Sequence, residues 1–138
     1  MKMRFIKTTI EEFLNEKNQN LTEVKPNRYV YHKSAPVFRD KISLLGLLPQ
    51  RGDQWLTTTP IEGKAIFATN SDDPKQWFDS TYDDDVWKID TSKLDNKWFS
   101  DPNFRESDGH NTGLFILTFG EIPLSAIELI YKGTGKSF

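Results

Sequence analysis

Short apolar runs rich in β-branched and aromatic residues most constrain the fold of this chain, because such runs favour strands over helices. Five runs have this character: Arg28–His32, Lys64–Thr69, Val86–Asp90, Leu114–Phe119 and Ala126–Tyr131. Helical patterns interrupt the series at irregular intervals, unlike the regular alternation of a parallel α/β fold. The order therefore predicts an α+β fold with a largely antiparallel or mixed sheet.

The N-terminal segment has a helical pattern of its own. A helix is predicted over Thr8–Lys17, because Ile10, Phe13 and Leu14 form an apolar stripe. A polar segment that reads as a linker follows as far as Asn27. We therefore divide the chain into an N-terminal helix and linker, residues 1–27, and a main domain, residues 28–138.

A second helix is predicted directly after the first strand. Ser34 is a candidate N-cap, Pro36 suits the first turn, and Gly46 is well placed to end the helix. A third, short helix is predicted to follow Pro74 and to run through Phe78.

The composition excludes several classes of protein. The chain has 138 residues, enough for one domain, and no cysteine, which rules out disulfides, thiolate metal sites and a cysteine nucleophile. No apolar run approaches the ~20 residues that cross a bilayer, and the first residues turn polar too soon for a signal peptide. We expect a cytoplasmic protein with no membrane partner.

The net charge of −2 conceals an acidic, aromatic middle third. Residues 70–110 hold eleven Asp/Glu against five Lys/Arg, together with Trp77, Trp87 and Trp98. These rings could form a binding face for a sugar or another partner. The favoured interpretation places them in the core, because aromatic side chains bury large areas.

Familiar nucleotide and metal motifs fail on inspection. The run Gly133–Ser137 resembles the end of a P-loop but lacks its first glycine and its following helix, so it is interpreted as a flexible tail. Asp83–Asp85 reads as a solvated turn, and Asp101 begins an imperfect calcium loop. His32 and His110 have no zinc-ligand spacing. No metal is predicted.

His32 is the most informative single residue. It ends an aromatic strand, and Ser34 and a predicted helix follow it at once. A strand that opens toward a helix N-terminus brings a ring, a hydroxyl and free amide groups together at a pocket edge.

The order of several segments resembles the ADP-ribosyltransferase superfamily. The opening of that family reads roughly Tyr-His-x-Ser/Thr, a helix, then Gly-Leu-x-Pro, as do Tyr31–Ser34 and Gly46–Pro49. Later segments that resemble the family are Ala65–Thr69, Val86–Asp90 with Leu94, and Phe119–Ile127 with its Ile-Pro-x-x-x-Ile pattern. The resemblance covers roughly residues 28–132.

The resemblance implies a fold and a cofactor site. The fold would be a split β-sheet, or sandwich, with flanking helices and with NAD bound as substrate in the cleft. His32 would bond the adenosine-side ribose, and Ser34 would assist near the nicotinamide. Phe67 or Thr69 would line the nicotinamide pocket. Glu121 would be the catalytic acid beside His32, and Arg51 could grip a phosphate.

The implied function is an NAD-dependent glycosyltransferase that passes ADP-ribose to a macromolecular acceptor or hydrolyses NAD. The alternative is a non-catalytic module on the same fold that recognises a nucleotide, a sugar or a host protein through its acidic aromatic face. The first residues, Ile6–Glu16, also resemble leaders of small tailed-bacteriophage proteins, which would place the protein in a host cytoplasm.

Overall fold

A seven-stranded antiparallel sheet organises the protein. The computed structural model describes residues 21–49, 64–71, 82–101 and 113–137. Its strands are β1 (Glu23–Val24), β2 (Tyr29–Ser34), β3 (Ile66–Thr69), β4 (Asp85–Asp90), β5 (Trp98–Ser100), β6 (Phe115–Thr118) and β7 (Ile127–Tyr131). They lie in the order β1-β5-β6-β3-β2-β4-β7, and every recorded strand pair is antiparallel. The predicted α+β class with a largely antiparallel sheet is confirmed.

One face of the sheet carries the main core. Residues opposite each other in register share a face, so Val30 and Ile89 point the same way, as do Ala68 and Ile116. The main core packs on this face and includes Trp98. We call it the helix face, because α1 (Arg39–Leu45) sends its one buried side chain, Ile42, into this core.

The opposite face carries a smaller cluster over one half of the sheet. Phe99 and Leu117 are register partners there, and Phe67 packs against them. Leu21 is also buried in this cluster. The segment predicted as a linker therefore contributes a buried leucine and β1, which pairs with β5.

The strand predictions agree with the structure to within two residues at each end. The second helix differs at its start: a 3₁₀ turn, Pro36–Phe38, precedes α1, and Ser34 belongs to β2 instead of capping the helix. Pro36 supplies the first turn as predicted. The stretch after Asp90, where no strand was predicted, contains a 3₁₀ turn, Thr91–Lys93, and β5.

Gly46 ends α1 as predicted, and its backbone explains why. Its φ of 81° and ψ of −170° lie in a region that is open essentially to glycine alone. Its neighbour Leu47 exchanges two backbone hydrogen bonds with Ile122, at 2.9 and 3.0 Å. A Cβ on Gly46 would overlap the Ile122 carbonyl oxygen. The glycine thus permits the chain after α1 to pack against the segment before β7.

The prediction of a flexible C-terminal tail is wrong. Asp83 accepts a hydrogen bond from the Tyr131 hydroxyl at 2.6 Å and two from Thr134 at 3.0 Å. Gly133 packs so closely on the Asp83 backbone that a Cβ would not fit. Ser137 forms a β-bridge with Tyr82. We call residues 131–137 and the aspartates that hold them the C-terminal clasp.

Several predictions lie outside the described residues. These are the helix over Thr8–Lys17, the short helix from Pro74 through Phe78, Arg51, Trp77 and His110. Within the described ranges, no helix has the length and apolar character that a bilayer crossing requires.

Candidate functional site

Near the centre of the described sheet, a single register pair joins two neighbouring strands, β2 and β3. β2 and β3 are paired only through Tyr31 and Thr69, whereas β2 pairs with β4 over six positions and β3 with β6 over four. The described sheet thus consists of two well-paired parts, β1-β5-β6-β3 and β2-β4-β7. Beyond Tyr31, toward the end of β2, no further residue pair joins these parts.

His32 occupies the position where the two parts separate. Its Nδ1 lies 2.6 Å from the carbonyl oxygen of Phe67 on β3. A carbonyl oxygen only accepts, so Nδ1 carries the proton and donates it. The imidazole therefore replaces a backbone donor that β2 would supply in a continuous ladder. In the neutral ring, Nε2 is left with a lone pair and is an acceptor.

The surroundings of His32 favour that neutral ring. Burial lowers the pKa of His32, and the hydrogen bond to the Phe67 carbonyl opposes the shift without overcoming it. His32 as a whole residue is half-buried. Trp87, its register partner on β4, is 4% exposed and adds an uncharged wall.

The structure brings Phe67 to His32 through the backbone, but it does not bring Thr69 there. Thr69 is the register partner of Tyr31, so its side chain lies on the face opposite to that of His32. The Phe67 ring lies on that face too, in the smaller cluster. Thr69 is 1% exposed, and its Oγ1 has no hydrogen-bond partner in the described part of the chain.

Ser34 lies on the His32 face, two residues along β2. Its register partner is Asp85, which is fully buried. Among the described residues, the Ser34 hydroxyl makes one long hydrogen bond, 3.5 Å, to the neighbouring carbonyl of Ala35. It is partly exposed and remains available to a ligand.

An ion pair that the sequence reasoning missed fixes this end of the sheet. Arg39 donates through Nε and Nη2 to the two carboxylate oxygens of Asp85, at 2.8 and 2.6 Å. Arg39 Nη2 also donates to the Gly133 carbonyl, and the Gly133 N–H donates to Asp85. The pair thus ties α1 to β4 and to the C-terminal clasp.

The carboxylate of Asp85 stays charged in this setting. Burial on its own raises the pKa of Asp85, but hydrogen bonds from Arg39 and Gly133 and the charges of Arg39 and Lys132 outweigh it, so the pKa lies below its usual value. The sequence held a signal for this residue. In the alternating run Asp85-Val86-Trp87-Lys88-Ile89, the aspartate shares a face with two core residues.

Glu121 lies at the same end of the strands as His32, although no contact joins the two residues. Neighbouring strands are antiparallel, so three strand termini lie together at one end of the strands: the end of β2, the start of β3 and the end of β6. Glu121 follows β6 by three residues and is exposed. Asn96 fixes its backbone by donating to its carbonyl at 3.4 Å and to the Thr118 hydroxyl at 3.1 Å.

Two of the three tryptophans in the acidic stretch lie within the described residues. Trp87 and Trp98 are 4% and 1% exposed and belong to the main core, which confirms the favoured interpretation for these two. Trp77 and Arg51 lie outside the described residues. In the part of the chain that the structure covers, no group of three or more His, Asp or Glu side chains is arranged to hold a metal ion.

Comparison with known proteins adds no assignment to this geometry. No protein-family model matches the chain, and no significant match was found among curated proteins or solved structures.

Proposed function

We propose that the protein binds NAD at the separation between β2 and β3 and acts as an ADP-ribosyltransferase-like enzyme. The reaction would transfer ADP-ribose to a macromolecular acceptor or to water, with release of nicotinamide. The observation that carries the proposal is the position of His32. The histidine of the family-like Tyr-His-x-Ser run lies where the sheet narrows to one pair, with its Nδ1 proton engaged by Phe67.

The narrowed sheet supports a cleft of the kind that the resemblance implies. Beyond Tyr31–Thr69, β2 and β3 have no further register pair, so the strand-end side chains of β2 lie beside an interrupted ladder. Ser34, with its weakly bonded hydroxyl, stands on the same face as His32 and adds a second polar contact.

Glu121 is the residue proposed for the chemical step. Departure of nicotinamide builds positive charge on the ribose, and a fixed carboxylate near that charge stabilises the transition state. Two features support this role: Glu121 follows β6 at the His32 edge, and its backbone is anchored by Asn96. Its exposed side chain is open to substrate.

The alternative of a binding module with an acidic aromatic face is less well supported. Two of its three tryptophans, Trp87 and Trp98, are buried and offer no ring to a sugar or a protein. Asp85, from the acidic run, is enclosed by Arg39 and Gly133.

Nicotinamide release from labelled NAD tests the proposal. We expect release by the wild-type protein, loss of release in Glu121→Gln, and an unfolding midpoint in that variant equal to the wild type. Glu128→Gln is the matched control, because Glu128 is also exposed but lies within β7 opposite Lys88. It should release nicotinamide at the wild-type rate.

Binding and turnover are measured separately. NAD should raise the unfolding midpoint of the wild type and of Glu121→Gln. A wild-type protein that neither releases nicotinamide nor is stabilised by NAD would refute the proposal. Stabilisation without release would leave a nucleotide-binding protein and refute the catalytic part.

A further inference from the structure

α1 lies along β2 on the helix face, and its path crosses His32. Arg39, the first residue of α1, bonds Asp85, which lies opposite the last residue of β2. Further along α1, Ile42 enters the core that includes Val30, near the start of the same strand. Alternate residues of a strand share a face, so His32 lies on the helix face between these two points. The helix therefore passes over the histidine.

Little apolar burial holds α1 and the turn before it. Ile42 is the one buried side chain of the helix, and the turn Pro36–Phe38 buries none. Val37 and Leu44 are 80% and 73% exposed. A helix of seven residues does not persist by itself, since isolated helices are marginal below roughly 12–15 residues. α1 therefore depends on its tertiary attachments.

A polar latch holds the start of α1. Arg39 donates to both carboxylate oxygens of Asp85 and to the Gly133 carbonyl. The Gly133 N–H also donates to Asp85. Asp83 bonds the next residue, Thr134, so the clasp side of the latch is held independently of the helix. Asp85 thus keeps a donor when the helix moves away and meets water in place of the guanidinium, which avoids a buried unpaired charge.

Gly46 supplies a hinge at the other end of α1. Its φ of 81° and ψ of −170° turn the chain out of the helix directly before Leu47. Leu47 is 3% exposed and is fixed to Ile122 by two backbone hydrogen bonds. The chain therefore passes from a lightly held helix to a firmly held residue across one glycine. Hinges form at such element ends, where a few residues absorb the change in φ and ψ.

We propose that α1, with the turn before it, is a lid over His32 that is latched by Arg39 and hinged at Gly46. The lid opens while the sheet stays folded, because its attachments are separate from the strand ladders. Opening uncovers His32 on the helix face and admits a ligand to its ring. The inference rests on the proposed function for the ligand, whereas the motion of the lid is independent of it.

Amide hydrogen exchange of the wild-type protein tests the lid without any substitution. Amides that open locally exchange faster than those of the sheet, and their rates depend little on dilute urea, because a local opening exposes little surface. We expect the amides of α1 to exchange at least about tenfold faster than those of β6. If α1 exchanged at the rate of β6 and with the same urea dependence, both would open only by global unfolding, and the inference would be overturned.

Two arginine variants test the latch. Arg39→Lys keeps the charge but loses the bidentate bond, so exchange in α1 should rise by at least about threefold and stay weakly dependent on urea. Arg28→Lys is the matched control, because Arg28 also pairs with an aspartate, Asp90, at 3.6 Å and at the start of β2. It should leave exchange in α1 unchanged. An unchanged rate in Arg39→Lys, or an equal rise in both variants, would overturn the inference.

Acylation of His32 by diethyl pyrocarbonate, located by mass spectrometry, connects the lid to the site. The reagent acylates a neutral imidazole, so its rate reports access to the ring in the free protein. We expect the rate in Arg39→Lys to exceed that of the wild type by at least about threefold, and Arg28→Lys to match the wild type. Equal rates in all three proteins would overturn the inference. NAD takes no part in these measurements, so a failure of NAD to bind refutes the proposed function and is distinguishable from a failure of the lid.

Discussion

Tyr31 and Thr69 form the one register pair that joins β2 to β3, and thereby the two parts of the described sheet. On the next residue of β2, His32 turns to the opposite face and bonds the backbone of β3 with its side chain. Where the backbone pairing of β2 and β3 stops, a hydrogen bond from the His32 side chain takes its place.

The hydroxyl of Thr69 should contribute nothing to stability, because it is buried without a partner in the described structure. Thr69→Val replaces it with a methyl group of similar shape. We expect the free energy of unfolding to stay the same or to rise by up to about 1–3 kcal/mol. Urea denaturation measures it. NAD affinity measured on the same variant shows whether the hydroxyl binds ligand.

Thr118→Val is the matched control for that experiment. Thr118 is also 1% exposed, but its hydroxyl accepts a hydrogen bond from Asn96. Its loss leaves the Asn96 amide with only its longer bond to Glu121, so stability should fall by about 1 kcal/mol. Equal losses in both variants would show that Thr69 has a partner after all.

Gly46 should tolerate no side chain. Gly46→Ala meets an unfavourable backbone conformation and the Ile122 carbonyl at once, so we expect a loss of at least about 1–3 kcal/mol in the free energy of unfolding. Gly135→Ala is the comparison, since Gly135 has a φ of 78° but only ordinary contact with Pro36. Chemical denaturation of both variants should give the larger loss for Gly46→Ala. The reverse order would contradict the close approach of α1 to Ile122.

The ion pair of Arg39 and Asp85 should show strong coupling. Arg39→Ala leaves a fully buried carboxylate without its counter-charge, and Asp85→Ala leaves the Gly133 N–H without its acceptor. Each single variant should lower the thermal unfolding midpoint by several degrees. The double variant should lose clearly less than the sum of the two, because the second change removes the group that the first left unpaired. Additive losses would contradict a direct interaction.

His32 should make stability depend on pH in the mildly acidic range. The folded state lowers the pKa of His32 from 6.5, so below that pH the unfolded chain binds the proton more readily than the folded one. The stabilisation is complete above about pH 6.5 and is lost as the pH falls toward the folded pKa. The decline should reach at most about 1.4 kcal/mol per pH unit.

Urea titrations at about pH 7.5 and about pH 5 measure that decline. His32→Phe should flatten it. A His32→Phe variant with an undiminished decline would show that another group is responsible. Asp83 and Asp85 act at lower pH: the bond from Tyr131 lowers the pKa of Asp83, and the bonds from Arg39 and Gly133 outweigh burial at Asp85. Their contribution is present above their unfolded pKa of 3.8 and fades below it.

Local patterns were enough to predict most elements of the fold. β2, β4 and β7 are regular β-branched and aromatic runs, and Gly46 marks the end of α1 by a backbone requirement that few other residues meet. β5 was missed because Trp98–Ser100 is too short to show a period. Pairing with β1 on one side and β6 on the other stabilises β5.

The candidate residues on β2 were picked out from the sequence, but their arrangement was not. His32 and Ser34 were picked out by their place after an aromatic strand, and the structure puts both on one face. Thr69, which the resemblance implied, lies on the other face, because the register with Tyr31 decides it. A shift by one residue would reverse that outcome, and a single sequence contains no information on register across strands far apart in the chain.

The sequence by itself determined the α+β class, the main strands, the end of α1 and the absence of cysteine chemistry. Those properties follow from residue type, alternation and backbone preference, which act over a few neighbouring residues. Only the tertiary structure decided that the sheet narrows at Tyr31–Thr69, that Asp85 meets Arg39, and that the C-terminal residues are clasped. Each of these depends on contacts between distant segments, where packing and burial outweigh any local preference.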